Sequence, residues 1–269
     1  MLYDERANML GTLVVLGLLL STVLSFPAWS REVMVLGSPL TIRVTQTEMM
    51  AALLVSMTCA GTETIVRSHP RAQRIDASYT FVTWTVPALT ALLATLLLPQ
   101  APSLAYQVGG SVAAGLILIL AVSSEYATLD PTDRRYVAAR MLLNGWAYVL
   151  ALISFVILYS PKARSLVSAT AITLVAALLA LEFLRGAGRG FGRTALYAGI
   201  AGLITGEIVW AMNYWRIGGV TGGLLLLLGF YVATGVANQQ LQGRLTRRTL
   251  LEYAAVALIG LVVLLRFGP

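Results

Sequence analysis

The residue best placed to do chemistry in this sequence is an acid inside a long apolar segment. Glu207 lies a little past the middle of the segment Thr194–Trp215. A carboxyl at that depth of a bilayer is costly unless it is paired, neutral or turned toward a protein interior. Trp210, at i+3, and Asn213, about one and a half turns along, can share its side of a helix. These residues predict a cation or proton site, or a polar anchor for a substrate; a neutral glutamate hydrogen-bonded between helices explains them equally well.

Two more polar residues are candidates for the same interior. Glu63 stands about one turn from the end of the second apolar segment, and Arg67 follows it at i+4. That is the favourable orientation for a helix ion pair, which favours a structural role. Asn144, in the fifth segment, adds a further polar group to the interior. Glu182 and Arg185, at i+3, form a similar pair that we expect near the membrane interface.

Other kinds of chemistry are excluded by what the apolar segments lack. The single lysine, Lys162, stands at a segment boundary, so no retinal Schiff base can form inside a bundle. His69 is the only histidine and Cys59 the only cysteine, which excludes a haem with two histidine ligands and a clustered metal site. All the aspartates lie in or beside loops, so paired membrane aspartates are missing. We expect no metal and no cofactor.

A membrane bundle has to position these residues. Of the 269 residues, 58% are hydrophobic and only 12% are charged, and the mean hydropathy is +0.79. About a quarter of a soluble domain is charged. A spanning segment needs about 20 apolar residues, and it must be helical because lipid offers the backbone no hydrogen-bond partner. We therefore predict one integral membrane domain, residues 1–269, as an all-α polytopic transmembrane bundle. Its nine spans are predicted at 8–26, 46–66, 79–98, 103–123, 135–159, 163–185, 194–215, 218–238 and 249–267.

The basic residues predict the orientation of this bundle. Thirteen of the 19 lysines and arginines fall in connectors on one side of the nine spans and six on the other, and the richer side is the cytoplasmic one. The N-terminus is therefore expected inside and the C-terminus outside. The high arginine content is typical of a GC-rich bacterial genome, which predicts the cell (inner) membrane. The same rule explains the net charge of +7, so the bilayer is the expected partner and no nucleic acid is.

The connector between spans one and two has a predicted structure of its own. Val33–Leu36 and Leu40–Val44 flank Gly37-Ser38-Pro39, a pattern that predicts a short extracytoplasmic β-hairpin. A lone hairpin is marginal in water, so we expect it to lie on the helix ends. A lid packed on its own bundle is favoured over a docking site for a partner.

Local patterns also predict helix starts and close helix contacts. Thr45-x-x-Glu48 and Thr249-x-x-Glu252 both fit a capping box. Span seven carries three glycines on one face and span eight opens with four, and such spacing lets helix backbones approach closely. We expect these two spans to form an antiparallel hairpin packed glycine against glycine. The glycines concerned are Gly199, Gly202, Gly206, Gly218, Gly219, Gly222 and Gly223.

Three functions are compatible with these observations. The first is binding or transport of a small ligand or ion through a polar site around Glu207, which predicts a pocket that reaches this carboxyl. The second is a non-catalytic subunit or scaffold of a larger membrane complex, with other membrane subunits or a homo-oligomer as partners. The third is a lipid-modifying membrane enzyme. The sequence favours them in that order, and it favours a non-enzymatic role.

Overall fold

The fold consists of nine α-helices and one β-hairpin over the residues that the structure describes. The structure is a computed structural model, which describes residues 3–24, 27–35, 38–72, 80–161, 165–187, 190–215 and 217–267. The elements are α1 Tyr3–Val23, β1 Trp29–Val35, β2 Ser38–Val44, α2 Gln46–Arg67, α3 Thr85–Leu97, α4 Leu104–Ala127, α5 Tyr136–Tyr159, α6 Ser165–Leu184, α7 Phe191–Met212, α8 Gly219–Leu241 and α9 Arg247–Phe267. Short 3-10 turns at Phe81–Trp84 and Leu98–Gln100 flank α3, and a third, Arg185–Ala187, follows α6.

The helices confirm an all-α polytopic membrane bundle. Within the described residues, eight helices are long and apolar enough to cross a bilayer. The remaining helix, α9, has 21 residues and carries charges in its first turns, at Arg247, Arg248 and Glu252. A chain with this many apolar helices of bilayer length is a multi-pass membrane protein.

One predicted capping box is confirmed and the other is wrong. The Thr45 side chain accepts a hydrogen bond from the backbone N–H of Glu48, and the Glu48 carboxylate accepts one from the N–H of Thr45 at 2.7 Å. In α9 the hydroxyl of Thr246 accepts the hydrogen bond from the N–H of Thr249 at 3.2 Å, while Glu252 pairs with Arg248. That helix therefore begins one turn earlier than predicted.

The predicted hairpin between the first two spans is confirmed and is longer than expected. Strands β1 and β2 pair antiparallel over seven residues each, with Trp29 opposite Val44, Val33 opposite Leu40 and Val35 opposite Ser38. The turn residues 36–37 lie outside the described residues.

The chain divides into two compact units, Met1–Leu142 and Leu143–Pro269, and the boundary falls inside α5. In the first unit, α1 packs against α2 and α4, and α3 packs against both α2 and α4. The aliphatic side chains between these helices are fully buried, which gives this unit a core of its own. They include Leu10, Val14, Leu54, Ile65 and Leu118. The single integral domain predicted for residues 1–269 stays a prediction.

In the second unit, α7 packs against α6 and α8, and α8 packs against α9. The glycines do not meet as expected. A methyl group at Gly202 would lie 2.7 Å from the Cβ of Ala177 in α6, and one at Gly223 would lie 3.1 Å from the backbone nitrogen of Val156 in α5. The expected glycine-to-glycine packing of spans seven and eight is therefore wrong, since Gly202 and Gly206 of α7 fit against α6, and Gly222 and Gly223 of α8 fit against the end of α5.

Candidate functional site

Helix α7 presents three different faces, and the candidate sites of the second unit follow from them. Its buried face carries small residues that pack closely against α6, among them Ala198, Gly202 and Gly206. A helix turns by about 100° per residue, so its neighbouring positions fall on the other faces. One of these faces lines a cavity, and the other is exposed.

The cavity is an apolar groove of about 600 Å³ bounded by α7, α8 and α9. Helix α8 packs against both α7 and α9, and two small residues of α8, Gly229 and Ala233, line the groove. Ala257 plays the same part on α9. We call this cavity the α7–α9 groove. Its lining includes Tyr197, Ile200, Ile204, Ile208 and Ala211 from α7, Leu225, Gly229, Val232, Ala233, Val236 and Gln240 from α8, Leu245 from the α8–α9 connector, and Ala257 and Leu261 from α9.

The groove is almost wholly aliphatic along its length and has polar side chains near its ends. Tyr197 lies near the start of α7 and Gln240 near the end of α8, while Trp215 follows the end of α7. Tyr197 and Met212, the last residue of α7, both line the groove and are 15 residues apart, which corresponds to about 22 Å of helix. The groove therefore runs through most of the apolar depth of the unit.

Basic residues stand beside one end of the groove. Leu245 lines the groove, and Arg244 precedes it in the α8–α9 connector. Arg244 and Arg247 are exposed and have no ion-pair partner among the described residues, whereas Arg248 pairs with Glu252 at 3.0 Å. Two guanidinium groups without an ion-pair partner among the described residues therefore lie near Gln240, at one end of the groove.

Glu207 lies on the exposed face of α7 and does not line the groove. Its neighbour Ile208 does, and the buried positions of α7 fall on the other side of the helix. Trp210 shares the face of Glu207 and is 48% exposed. Of the three alternatives expected for this carboxyl, the structure does not show the interior position, because small residues packed against α6 occupy the interior face.

The two asparagines among the candidate site residues are partly buried. Asn213 caps the C-terminus of α7, and its Nδ2 is buried without a hydrogen bond among the described residues. Asn144 in α5 is half-buried, and its Oδ1 is likewise buried and without a hydrogen bond there. Neither side chain lines the α7–α9 groove as described, so the structure does not gather the candidates around Glu207 into one pocket.

Glu63 lies in the first unit, where three donors satisfy its carboxylate. The Thr80 hydroxyl donates at 3.0 Å, the indole Nε1 of Trp84 donates at 2.7 Å, and Arg67 forms the expected ion pair. The carboxylate joins α2 to the 3-10 turn that precedes α3. A group with this many partners has little capacity left for a ligand, which supports the structural role.

Two further acids are buried more deeply than the sequence suggested. Glu182 is 1% exposed and pairs with Arg185 at 3.0 Å, so this pair is buried within the protein at the end of α6. Glu125 is fully buried. It was missed because the predicted fourth span ended at residue 123, whereas α4 runs to Ala127. The helical spacing of Gly115, Leu118 and Val122 was the signal that places Glu125 on the buried face.

A polar and aromatic cluster lies at one end of the first unit. The rings of Tyr3 and Tyr126 stack at 4.3 Å, and His69 approaches Tyr126 edge-on at 4.7 Å. The Nδ1 of His69 accepts a hydrogen bond from the backbone N–H of Arg71 at 3.1 Å, and burial lowers the pKa of His69. Hydrogen bonds from Thr132, and then the charge of Arg71, lower the pKa of Asp130. This cluster joins α1 to the end of α4 and to the connector that follows α2.

Comparison with known proteins gives one match. A family model described as "Protein of unknown function (DUF5656)" matches residues 25–267. No curated protein and no solved structure matches the chain. The family match includes the hairpin, the Glu63 contacts and the α7–α9 groove.

Proposed function

Because the chain belongs to the DUF5656 family, whose function is unknown, we propose from its geometry that this multi-pass membrane protein binds a lipid. The hydrocarbon chain of the lipid lies in the α7–α9 groove. The headgroup lies beside the α8–α9 connector. We predict from the sequence a bacterial cell (inner) membrane protein with a cytoplasmic N-terminus, and in that orientation this connector lies on the cytoplasmic side.

The observation that carries the proposal is the aliphatic lining of a groove of about 600 Å³. Ligand pockets have volumes of about 300–1,000 Å³ and usually combine apolar walls with a few converging polar groups. This groove lacks converging polar groups along its middle, so a polar solute would lose its hydrogen bonds to water there without gaining others. A hydrocarbon chain has no such hydrogen bonds to lose.

The length of the groove also suits a lipid chain. One leaflet of the hydrocarbon core is about 15 Å deep, half of the full thickness. The groove extends for about 22 Å of helix, from Tyr197 to Met212, the last residue of α7. A chain from one leaflet therefore fits within it.

The basic groups beside the groove favour an anionic headgroup. Arg244 and Arg247 have no ion-pair partner among the described residues, and basic side chains near a bilayer surface attract anionic lipids. A phosphate placed beside Leu245 would lie next to Arg244 in the connector and Arg247 at the start of α9. The aliphatic groove and the basic residues beside one end of it thus match the hydrocarbon chain and the headgroup of an anionic phospholipid.

An ion or small polar ligand at Glu207, the first function that the sequence predicted, has less support. It requires a pocket that reaches this carboxyl, and the α7–α9 groove is lined instead by the adjacent Ile208. The lipid proposal uses the cavity that is present.

Photo-crosslinking tests the proposal. Protein reconstituted with phosphatidylglycerol that carries a diazirine in the middle of one acyl chain is irradiated, and labelled peptides are identified by mass spectrometry. We expect labels on groove positions of α7 and α8. Ala233→Phe and Ala257→Phe fill the groove and should reduce this labelling several-fold.

Ala255→Phe is the matched control, because Ala255 is exposed on α9 and does not line the groove. It should leave the labelling unchanged. Equal labelling in the filled variants and the control would mean that the lipid lies around the helices rather than in the groove, and the proposal would be wrong.

A further inference from the structure

The exposed residues of α7 form a single face with Glu207 near its middle. We call it the Glu207 face and define it by Leu196, Leu203, Glu207 and Trp210, all of which are exposed. At 100° per residue these positions fall within one stripe of the helix. The face is aliphatic and aromatic except for the carboxyl.

This carboxyl is poorly placed to reach water. Glu207 precedes the last residue of α7, Met212, by five residues, or about 7.5 Å. Aromatic residues at the same end, Trp210, Tyr214 and Trp215, are typical of a membrane interface. Side chains on a helix lean toward its N-terminus, so the Glu207 side chain leans away from the nearest interface and toward the middle of the bilayer.

A partner for this carboxyl has to come from outside the unit. Among the described residues, Glu207 has no hydrogen bond and no ion pair, and a lipid chain offers it neither donor nor acceptor. A neutral carboxylic acid is both a donor and an acceptor. It can therefore pair with a second copy of itself.

We infer that two copies of this chain associate through the Glu207 face, with the two Glu207 carboxyl groups hydrogen-bonded to each other across a two-fold axis. Copies with the same orientation in a membrane are related by an axis along the membrane normal. In such an isologous interface a residue near the axis meets its own counterpart. A self-complementary group at the middle of the face satisfies that geometry.

The surface nearby also allows close approach. A methyl group built at Gly199, on the edge of this face, would have no atom within 4 Å. The Gly202 position on the buried face is by contrast filled by α6. Small residues facing open space let a second helix come near enough for a short interhelical hydrogen bond. The inference is independent of lipid binding, since the groove lies along another face of α7.

Disulfide crosslinking in liposomes tests the inference. Cys59, the only cysteine, is replaced by serine, and a cysteine is introduced by Leu203→Cys, one turn from Glu207. The control is Leu258→Cys on α9, because Leu203 and Leu258 are 59% and 63% exposed. At low protein-to-lipid ratio, oxidation should give a covalent dimer for Leu203→Cys and little for Leu258→Cys.

Two substitutions of Glu207 test whether the crosslinked dimer depends on the carboxyl pair or arises from random collisions between copies in the membrane. Glu207→Gln keeps a donor and an acceptor and should keep the dimer, whereas Glu207→Leu should weaken dimer formation about tenfold, the effect of losing one or two interhelical hydrogen bonds. Both variants lie on an exposed face and should retain the wild-type circular dichroism spectrum. Equal crosslinking at Leu203 and Leu258, no crosslinking at Leu203, or an unchanged dimer in Glu207→Leu would each overturn the inference.

Discussion

Glu207 and Ile208 are adjacent in α7 and face different surroundings: the Ile208 side chain lines the α7–α9 groove, and the Glu207 carboxyl lies on the exposed face. The rotation of about 100° between neighbouring helix positions produces this difference. It separates the Glu207 carboxyl from the groove that α7, α8 and α9 enclose. The lipid proposal and the dimer inference follow from these two faces.

The first prediction concerns the contacts of Glu63. Glu63→Leu removes the carboxylate that accepts hydrogen bonds from the Thr80 hydroxyl and the Trp84 indole N–H, and losing the acceptor of a buried donor costs about 1–3 kcal/mol. We expect the free energy of unfolding in detergent to fall by at least that amount. Glu207→Leu is the control, because it removes an exposed carboxyl and should change the stability of the monomer by less than about 0.5 kcal/mol. Equal stability of the two variants would contradict a structural role for Glu63.

The second prediction concerns the contact between α6 and α7. Gly202→Ala places a methyl group 2.7 Å from the carbonyl oxygen of Thr173 and from the Cβ of Ala177, and backbone atoms cannot move aside as a side chain can. Overpacking of this kind costs about 1–3 kcal/mol, so the thermal midpoint in detergent should fall. Gly199→Ala, where the methyl group meets open space, should leave the midpoint unchanged. A drop of the same size in both variants would show that helix flexibility, rather than close packing, explains the loss.

The positions of the helices could be predicted from the sequence, because apolar length is a direct requirement of the bilayer. The start of α2 at Gln46 and the hairpin that precedes it followed from Thr45, Glu48 and alternating apolar residues. The end of α4 did not, and Glu125 was missed for that reason. Nothing in the polar sequence after residue 123 marks a helix end before Ala127.

The directions in which side chains point could not be predicted in the same way. In water an apolar stripe identifies the buried face of a helix, but in lipid both the buried face and the exposed face are apolar. The position of Glu207 along α7 could therefore be predicted, but the side of the helix on which it lies could not. The glycines showed the same limit, since Gly202 indicated close packing without identifying α6 as its partner.

The third prediction concerns His69, whose folded pKa lies below the ordinary value of 6.5 because of burial. As pH falls below about 6.5, the unfolded chain binds a proton that the folded chain does not, and the free energy of unfolding decreases. The contribution of His69 is therefore full above that pH and is lost as pH falls through the folded pKa. Asp130, whose pKa is also lowered, loses its contribution at lower pH, below its ordinary value of 3.8.

Thermal unfolding between pH 8 and pH 5 tests this dependence. His69 is the only histidine, so His69→Gln should flatten the loss of stability between about pH 6.5 and 5 while Arg71, Asp130 and Asp133 remain in place. A wild-type protein that becomes more stable on acidification through this range, or a variant with the same slope as the wild type, would contradict the assignment.

The last prediction concerns the headgroup of the proposed lipid. Each arginine near a bilayer surface contributes about 1 kcal/mol to the attraction of anionic lipid, which corresponds to about a fivefold change in affinity for each residue. The double substitution Arg244→Gln and Arg247→Gln should therefore reduce the preference for phosphatidylglycerol over phosphatidylcholine by roughly twentyfold. Competition for the photoreactive lipid by each unlabelled lipid measures this preference. Arg248→Gln is the control, because the Arg248 charge is already paired with Glu252 at 3.0 Å, and it should have a smaller effect. If the double variant keeps the full preference while Ala233→Phe abolishes labelling, the groove holds the hydrocarbon chain and the two arginines do not select the headgroup.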